Sequence, residues 1–476
     1  MSNNTGWSYS FLAVILGCGD AGGGSAGSTS GPTTVPDPTT PTSDTGTLPT
    51  TSDGTSAGSA TGGASTSTTQ STSTTATTGP ISATASEGDT TISTTTLPGE
   101  TTTTTSTTTD PDTGTTGCPD VGMGDVEFTY IWIANSPEGT VSKIDTQTMQ
   151  EVGRYQVRPQ GGGLPSRTSV NLHGDMVIGS RLGGVTKIWA RPEDCQESNG
   201  QPGIQTSTGK NDVLPWGQEE CIAWYTDGTF LSQRAVAWTT GTLDMQACAY
   251  KDPKVWIGAT TDAVILRVML LNGDTGVLEN SVDIPGTSGT SMDRSPYGAA
   301  VDADNDVWMV NAYCGGTLIE VHEDMTYETI AMPPAICPYG IAVDSKGYVW
   351  IGGYQTFSGR YDPINGTWDM IAAQGLGIQE DAENRLWLGA YGQNAVIEID
   401  GNTLQVLSTT PVPTTGQSKG IGIDFFGFVW IVSDAGNTVV RMDPDTKQIQ
   451  TYTGLNDPYS YSDMTGWGLK NVVLPQ

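Results

Sequence analysis

A repeated pattern of apolar and polar positions runs through the C-terminal three quarters of the chain. Each copy has an apolar run ending in Asp, a short turn, a second apolar run opened by Trp, and a third run rich in Val and Ile. The stretch "PYGIAVDSKGYVWIGGY", Pro338 to Tyr354, contains the first two runs. Short β-branched runs separated by Gly, Asp and Asn predict strands rather than helices. The region is therefore expected to be all-β.

The second run recurs seven times, with Trp in six copies and Val in one. The marker residues are Trp132, Val177, Trp256, Trp308, Trp350, Trp387 and Trp430. Their spacings are 45, 79, 52, 42, 37 and 43 residues. Apart from the 79, these values suit one four-stranded blade per copy. Seven copies predict a seven-bladed β-propeller.

The repeat is irregular in two places, at its first copy and at the spacing of 79 residues. The first copy lacks its first run, and "TGWGLKNVVL" (Thr465–Leu474) has such a run with no Trp run after it. We expect this C-terminal stretch to be a strand that closes the first blade and hides sheet edges. The spacing of 79 predicts an insertion at about residues 191–250, which we expect to be a loop stapled by disulfides.

The N-terminal part of the chain has a different composition. "FLAVILGCGD" resembles the end of a bacterial lipoprotein signal, which implies a signal peptide at 1–17 and a lipid on Cys18. No Lys or Arg precedes Lys143, so the usual positive start is missing. More than half of residues 21–117 are Ser or Thr, which predicts a disordered tether over 18–117 and a propeller over 118–476.

Charge and cysteine content restrict the partners and the compartment. The formal net charge of −31 argues against a nucleic-acid partner, since phosphate binding needs a basic face. Apart from Cys18, six cysteines remain, an even number that suits an oxidising compartment. We expect Cys314 and Cys337 to pair, because the repeat places them on one face of adjacent blades. The pairing of the others stays open; they are Cys118, Cys195, Cys221 and Cys248. These features predict a lipid-anchored envelope protein that faces the periplasm or the exterior.

The repeat resembles the propellers of the virginiamycin B lyase (streptogramin lyase) family over about residues 126–476, outside the insertion. The resemblance rests on the "YGIAVD" run, the "VWI" run and the "NTVVRMDPDT" run (Asn437–Thr446). NHL repeats look similar but match less well. The family resemblance implies a magnesium ion, a Glu in "WFTE" and a catalytic His that open a cyclic ester by elimination.

The chain departs from that catalytic pattern. The positions matching the Glu are Asn135, Ser180, Ala259, Asn311, Gly353, Ala390 and Ser433. None is a carboxylate. Of the two histidines, His173 falls between the first and second strands and His322 ends a third strand, so both belong to the opposite face of the propeller. A general base must reach the proton that it removes, so lyase chemistry is disfavoured.

The loops after each Trp run and before each first run share one face, which we call the mouth. Its candidate ligand-binding residues are Asn135, Arg181, Tyr297, Asn311, Tyr313, Tyr339, Tyr354, Tyr391 and Asp434. Arg167, Arg234 and Lys419 belong to the same loops. Tyr rings suit binding of sugars, peptides or loops.

The sequence therefore predicts a surface lipoprotein that binds an extracellular or envelope protein, peptide or glycan without catalysis. The alternative is a carbon–oxygen lyase with rearranged catalytic residues, and a purely structural role is a third possibility. No cofactor is expected. Asp302, Asp304 and Asp306 have a spacing that could suit calcium, but they occupy the turn position of the repeat, so a hairpin turn is expected there.

Overall fold

The computed structural model describes residues 129–262, 265–286, 296–312 and 314–473. The predicted signal and tether, Cys18, Cys118 and Tyr313 lie outside these ranges. Within them, 29 strands form seven blade sheets and one small hairpin sheet. Successive innermost strands contact one another around a ring. The predicted seven-bladed propeller is confirmed.

The strands of the first four blades run in chain order, with a small hairpin inside blade 3. Blade 1 has β1 (Tyr130–Asn135), β2 (Thr140–Asp145) and β3 (Gln150–Gln156). Blade 2 has β4 (Pro165–Val170), β5 (Met176–Ser180), β6 (Val185–Ile188) and β7 (Ile222–Thr226). Blade 3 has β8 (Ser232–Trp238), the hairpin β9 (Thr242–Asp244) and β10 (Ala249–Lys251), then β11 (Lys254–Asp262), β12 (Ile265–Asn272) and β13 (Leu278–Pro285). Blade 4 has β14 (Gly298–Val301), β15 (Val307–Val310), β16 (Thr317–Val321) and β17 (Tyr327–Ala331).

The last three blades repeat one plan without interruption. Blade 5 has β18 (Pro338–Val343), β19 (Val349–Gly353), β20 (Ser358–Asp362) and β21 (Thr367–Ile371). Blade 6 has β22 (Gly375–Glu380), β23 (Arg385–Ala390), β24 (Ala395–Asp400) and β25 (Val406–Pro411). Blade 7 has β26 (Ser418–Ile423), β27 (Val429–Ser433), β28 (Thr438–Met442) and β29 (Ile449–Thr453). The chain then forms one helix, α1 (Trp467–Val473).

The Asp of the first run and the Trp of the second run are bonded to each other in blades 4 to 7. In blade 5, Asp344 Oδ1 accepts the backbone N–H groups of Lys346 and Tyr348, which shapes the turn. Its Oδ2 accepts the indole N–H of Trp350 at 2.7 Å. Each blade Trp is buried between neighbouring sheets. The recurring Asp–Trp spacing is therefore a structural feature of the blade.

Glycines of the first run allow neighbouring innermost strands to approach closely. A Cβ on Gly340 would collide with the carbonyl oxygen of Leu376 in the next blade. A Cβ on Gly420 would collide in the same way with the carbonyl oxygen of Ser460. A side chain at either position would push two blades apart near the axis.

The ring closes near the C-terminus, but at a different segment from the expected one. Residues Thr465–Leu474 were predicted to be a strand, and this is wrong, because α1 occupies Trp467–Val473. The preceding segment runs beside β1 instead: Trp132 N–H donates to Met464 O, and Tyr459 N–H donates to Ala134 O. Pro458 also forms an antiparallel bridge with Asn135. Residues 458–464 therefore complete blade 1.

The insertion is smaller than predicted and has two parts. Residues 191–221 form a loop between β6 and β7 that is stapled by the Cys195–Cys221 disulfide. The second part is the β9–β10 hairpin. Trp224 and Trp238 fall within the predicted bounds of the insertion, 191–250, but they lie in the blade strands β7 and β8. No helix in the described part of the chain is long and apolar enough to cross a membrane.

Candidate functional site

The mouth is built by loops that enter the innermost strands and loops that leave the second strands. A disulfide between Cys314 and Cys337 joins two of these loops, from blades 4 and 5. The predicted pairing of these two cysteines is confirmed. Cys195 and Cys221 form the second described disulfide, and Cys248 is disulfide-bonded as well.

Four tyrosines meet at the axis below the mouth, and we call them the tyrosine cluster: Tyr297, Tyr339, Tyr459 and Tyr461. The hydroxyl of Tyr459 lies 3.0 Å from the hydroxyl of Tyr297 and 3.0 Å from that of Tyr339. The rings of Tyr339 and Tyr461 are 4.9 Å apart. The four side chains come from blades 1, 4 and 5, so the cluster ties separate blades together.

Three basic side chains from other blades pack against this cluster. The Arg167 guanidinium stacks on the Tyr461 ring, with Cζ 3.2 Å from its centroid, and donates to the carbonyl oxygens of Tyr461 and Tyr339. Arg234 lies over the Tyr297 ring at 4.6 Å. Lys419 Nζ lies 4.1 Å from the Tyr459 centroid. Cations over aromatic faces are stabilised by the ring quadrupole, most strongly when desolvated.

The basic groups also change the acidity of the cluster. Burial raises the pKa of Tyr459, but Lys419, Arg234 and the two tyrosine hydrogen bonds outweigh it and lower that pKa to about 7. Burial raises the pKa of Tyr297 and Tyr339. Tyr459 therefore ionises near neutral pH, because Lys419 and Arg234 favour its charged form.

A rim of partly exposed side chains surrounds the cluster. The rings of Tyr354 and Tyr391, on adjacent blades, are 6.2 Å apart. The amide of Gln355 donates to the Tyr391 hydroxyl at 2.8 Å. Tyr354 in turn contacts Tyr339 of the cluster, with ring centroids 6.3 Å apart. The rim and the cluster therefore form one continuous aromatic surface from solvent to axis.

The predicted site residues divide into those that reach this surface and those that serve the fold. Asp434 accepts Lys419 Nζ at 3.2 Å and binds Gln417, so it holds the rim together. Arg181 donates to Ser136 and lies 5.1 Å from the Tyr459 ring centroid. Asn135 is buried, and its amide donates to Thr140 and Ser142. Asn311 is also fully buried.

Two members of the cluster, Tyr459 and Tyr461, are absent from the sequence-based site. The sequence contained a signal for the first of them. Tyr459 follows Pro458, as Tyr297 follows Pro296 and Tyr339 follows Pro338. A recurring Pro-Tyr pair at the start of the innermost strand would have located both the closing segment and the third tyrosine.

Both histidines lie at the opposite end of the blades from the mouth, as predicted. His322 follows β16 and hydrogen-bonds with Asp306, in the turn before β15. His173 lies in the turn between β4 and β5, where it lines a cavity of about 370 Å³ with Lys187, Trp189 and Asp274. Neither histidine can act as a base at the tyrosine cluster.

Comparison with known proteins finds similar propellers at low sequence identity. Virginiamycin B lyase from Staphylococcus aureus is 16% identical, with a TM-score of 0.44, over 62% of this chain and 87% of that chain. Apo AztD from Citrobacter koseri is 11% identical, with a TM-score of 0.46, over 72% and 99%. Dihydro-heme d1 dehydrogenase NirN in complex with DHE is 12% identical, with a TM-score of 0.45, over 70% and 66%. No family model and no curated protein matches the chain.

Proposed function

We propose that this propeller is a non-catalytic binding domain of a surface lipoprotein, and that its mouth binds an extracellular or envelope protein, peptide or glycan. The observation that carries the proposal is the pair of rim tyrosines, Tyr354 and Tyr391, beside each other above the buried cluster. Flat amphipathic rings give a large contact area and lose little rotamer entropy on binding.

The rigidity beneath the rim supports this proposal. Tyr339 contacts Tyr354 from below and is itself fixed by Tyr459 and by Arg167. The Cys314–Cys337 disulfide restrains the neighbouring loops. A surface that is ordered before binding loses less entropy when the ligand docks, which increases affinity.

The disulfides support a location outside the cytoplasm, since stable disulfides are rare in reducing compartments. Lipidation of Cys18 would anchor the chain in the envelope. The tether would then carry the propeller tens of Å from the lipid, as expected for a flexible chain of about 100 residues with a size of about 5–6 Å × √n.

Binding of the full-length protein to glycan and peptide arrays tests the proposal. We expect specific binding that falls at least about tenfold when Tyr354→Ala and Tyr391→Ala are combined, because both rings of the rim are lost. The matched control combines Tyr327→Ala and Phe426→Ala, which are exposed aromatic residues near the opposite end of the blades. Equal binding by both double variants would exclude the rim as the site.

One observation favours the alternative of a carbon–oxygen lyase. An elimination needs a base, and Tyr459 has a pKa lowered to about 7 next to two phenolic hydroxyls. Incubation of the protein with a cyclic ester tests this alternative. A ring-opened alkene product that is lost in Tyr459→Phe and kept in Tyr327→Phe would support it, and no turnover by the wild-type protein would oppose it.

A further inference from the structure

Blade 4 departs from the blade repeat at two neighbouring positions. The residue paired with the marker Trp or Val is basic in four other blades: Lys143, Lys187, Arg360 and Arg441. In blade 6 this position holds Glu398, which pairs with Lys447 and Arg385. In blade 4 it holds Glu320, opposite Trp308. The Glu320 carboxylate makes no hydrogen bond or ion pair with the described residues.

The second departure lies two residues after Glu320, just beyond the end of β16. Blades 1, 3, 5, 6 and 7 have Asp or Asn here, and that side chain shapes the turn to the outer strand: Asp145, Asn272, Asp362, Asp400 and Asp443. Blade 4 has His322, and Asp324 takes over the turn by accepting Thr326 N–H. A turn-forming Asp or Asn is thus replaced by an imidazole, beside the position where four other blades have a Lys or Arg.

A third side chain completes the group. Asp306 immediately precedes β15, and its Oδ2 lies 2.6 Å from Nδ1 of His322. One donor atom each from Asp306, Glu320 and His322 lies within 4.8 Å of the others. The β15–β16 register, Val307 with Val321 and Trp308 with Glu320, places the three on one face of the hairpin.

The surroundings hold these donors in place and leave them accessible. Asp302 accepts the N–H of Asp306 and the indole N–H of Trp308, so the turn that carries Asp306 is fixed. The backbone N–H of His322 donates to Thr326 O. The His322 side chain is 35% exposed. An ion can therefore enter from solvent and meet donors that lie on strand β16 and at the adjoining ends of β15 and β16.

We propose that Asp306, Glu320 and His322 form a binding site for a divalent transition-metal ion such as Zn²⁺, at the end of blade 4 opposite the mouth. The ion supplies the positive charge that a Lys or Arg supplies at this position in blades 1, 2, 5 and 7. One imidazole and two carboxylates favour zinc-like ions, because Ca²⁺ and Mg²⁺ prefer oxygen donors alone. Three protein ligands leave a fourth position for water.

The chain has only two histidines, which makes the test specific. Zn²⁺ is titrated into chelator-treated full-length protein by calorimetry, while the histidine ring signals are followed by NMR. We expect one Zn²⁺ per chain and a selective change in the signal that His322→Gln removes. His322→Gln and Glu320→Gln should each weaken binding at least about tenfold. The matched control, His173→Gln, should bind as the wild type does.

Several outcomes would overturn the proposal. One is a wild-type spectrum in which Zn²⁺ leaves both histidine signals unchanged, and this readout needs no variant to fold. Another is Zn²⁺ affinity that is equal in His322→Gln and His173→Gln, which would place the ion elsewhere. Selective binding of Ca²⁺ with no response to Zn²⁺ would contradict the assigned class of ion.

Discussion

The two ends of the propeller axis differ in the side chains that fill them. At the mouth end, phenol rings and basic side chains from six blades meet, as in the contacts of Arg167 with Tyr461 and of Lys419 with Tyr459. At the other end, α1 packs across the strands and leaves a cavity of only about 40 Å³. Two buried acids there accept hydrogen bonds from α1 and the residues before it. Asp463 accepts the N–H groups of Gly466 and Leu469, and Glu380 accepts Asn471 Nδ2 at 2.6 Å.

This difference separates a recognition end from a packing end. The helix is fixed by hydrogen bonds that start and finish inside the protein, such as Trp467 Nε1 to Glu380 O. The mouth end also has internal bonds, but its aromatic surface continues outward to Tyr354 and Tyr391. The acidities diverge as well: the pKa of buried Glu380 is raised to about 7 by desolvation, whereas that of Tyr459 is lowered to about 7 by its cations.

Loss of Arg167 should have the largest effect. Its guanidinium is fully buried, donates to Tyr461 and Tyr339 carbonyl oxygens and stacks on a ring. Arg167→Ala leaves those acceptors unpaired and opens a cavity, so the free energy of unfolding should fall by about 4 kcal/mol. Guanidinium chloride unfolding measures this loss. The control, Arg267→Ala, removes an exposed pair with Asp283 and should change stability by less than about 0.5 kcal/mol. A comparable loss in both variants would contradict the structural role of Arg167.

The packing end should make stability depend on pH. The folded-state pKa of Glu380 is about 7, above its ordinary value of 4.5, so burial favours the protonated form. Its contribution is complete below the unfolded pKa and is lost as pH rises through about 7. Glu380→Gln should remove about 2 kcal/mol of the fall in unfolding free energy between pH 4.5 and 7.5. Unfolding at a series of pH values measures this slope. Glu383→Gln, at an exposed position, should keep the wild-type slope, and an unchanged slope in Glu380→Gln would oppose the assignment.

Most of the fold was predictable because the blade repeat is local. The Asp344 carboxylate bonds its own turn and the indole of Trp350, so the spacing of these residues in the sequence reports the hairpin directly. The closing segment depends instead on long-range contacts, with residue 459 meeting residue 134. "WGLKNVV" is a short apolar run that fits a strand as well as a helix. Hydrogen bonds from Trp467 and Asn471 to Glu380 stabilise the helix, and no local sequence pattern shows these contacts.

The candidate site was predictable only in part, for a related reason. Tyr297 and Tyr339 stand where an innermost strand begins, and Tyr354 and Tyr391 follow a second strand. The strand order places both positions on the same face, so the sequence could assign these tyrosines to the mouth. It does not show that Arg167 crosses the axis to the carbonyl oxygen of Tyr339. Glu320 and His322 of blade 4 occupy the positions of Lys143 and Asp145 in blade 1. The strand register is needed to align these residues, so the sequence alone did not reveal the difference.

The smallest expected effect concerns a single phenol at the mouth end. With a pKa of about 7, Tyr459 should form tyrosinate near neutral pH, about three units below an ordinary tyrosine. Near-ultraviolet titration should show one such step, a small signal among 16 tyrosines, and Tyr459→Phe should abolish it. Because the folded pKa is lowered, the stability from this group is lost as pH falls through about 7, opposite in sign to Glu380. Tyr327→Phe, at an exposed position, should keep the step. If the step persists in Tyr459→Phe, Lys419 and Arg234 do not hold a phenolate there, and the two ends of the propeller axis differ in packing but not in acidity.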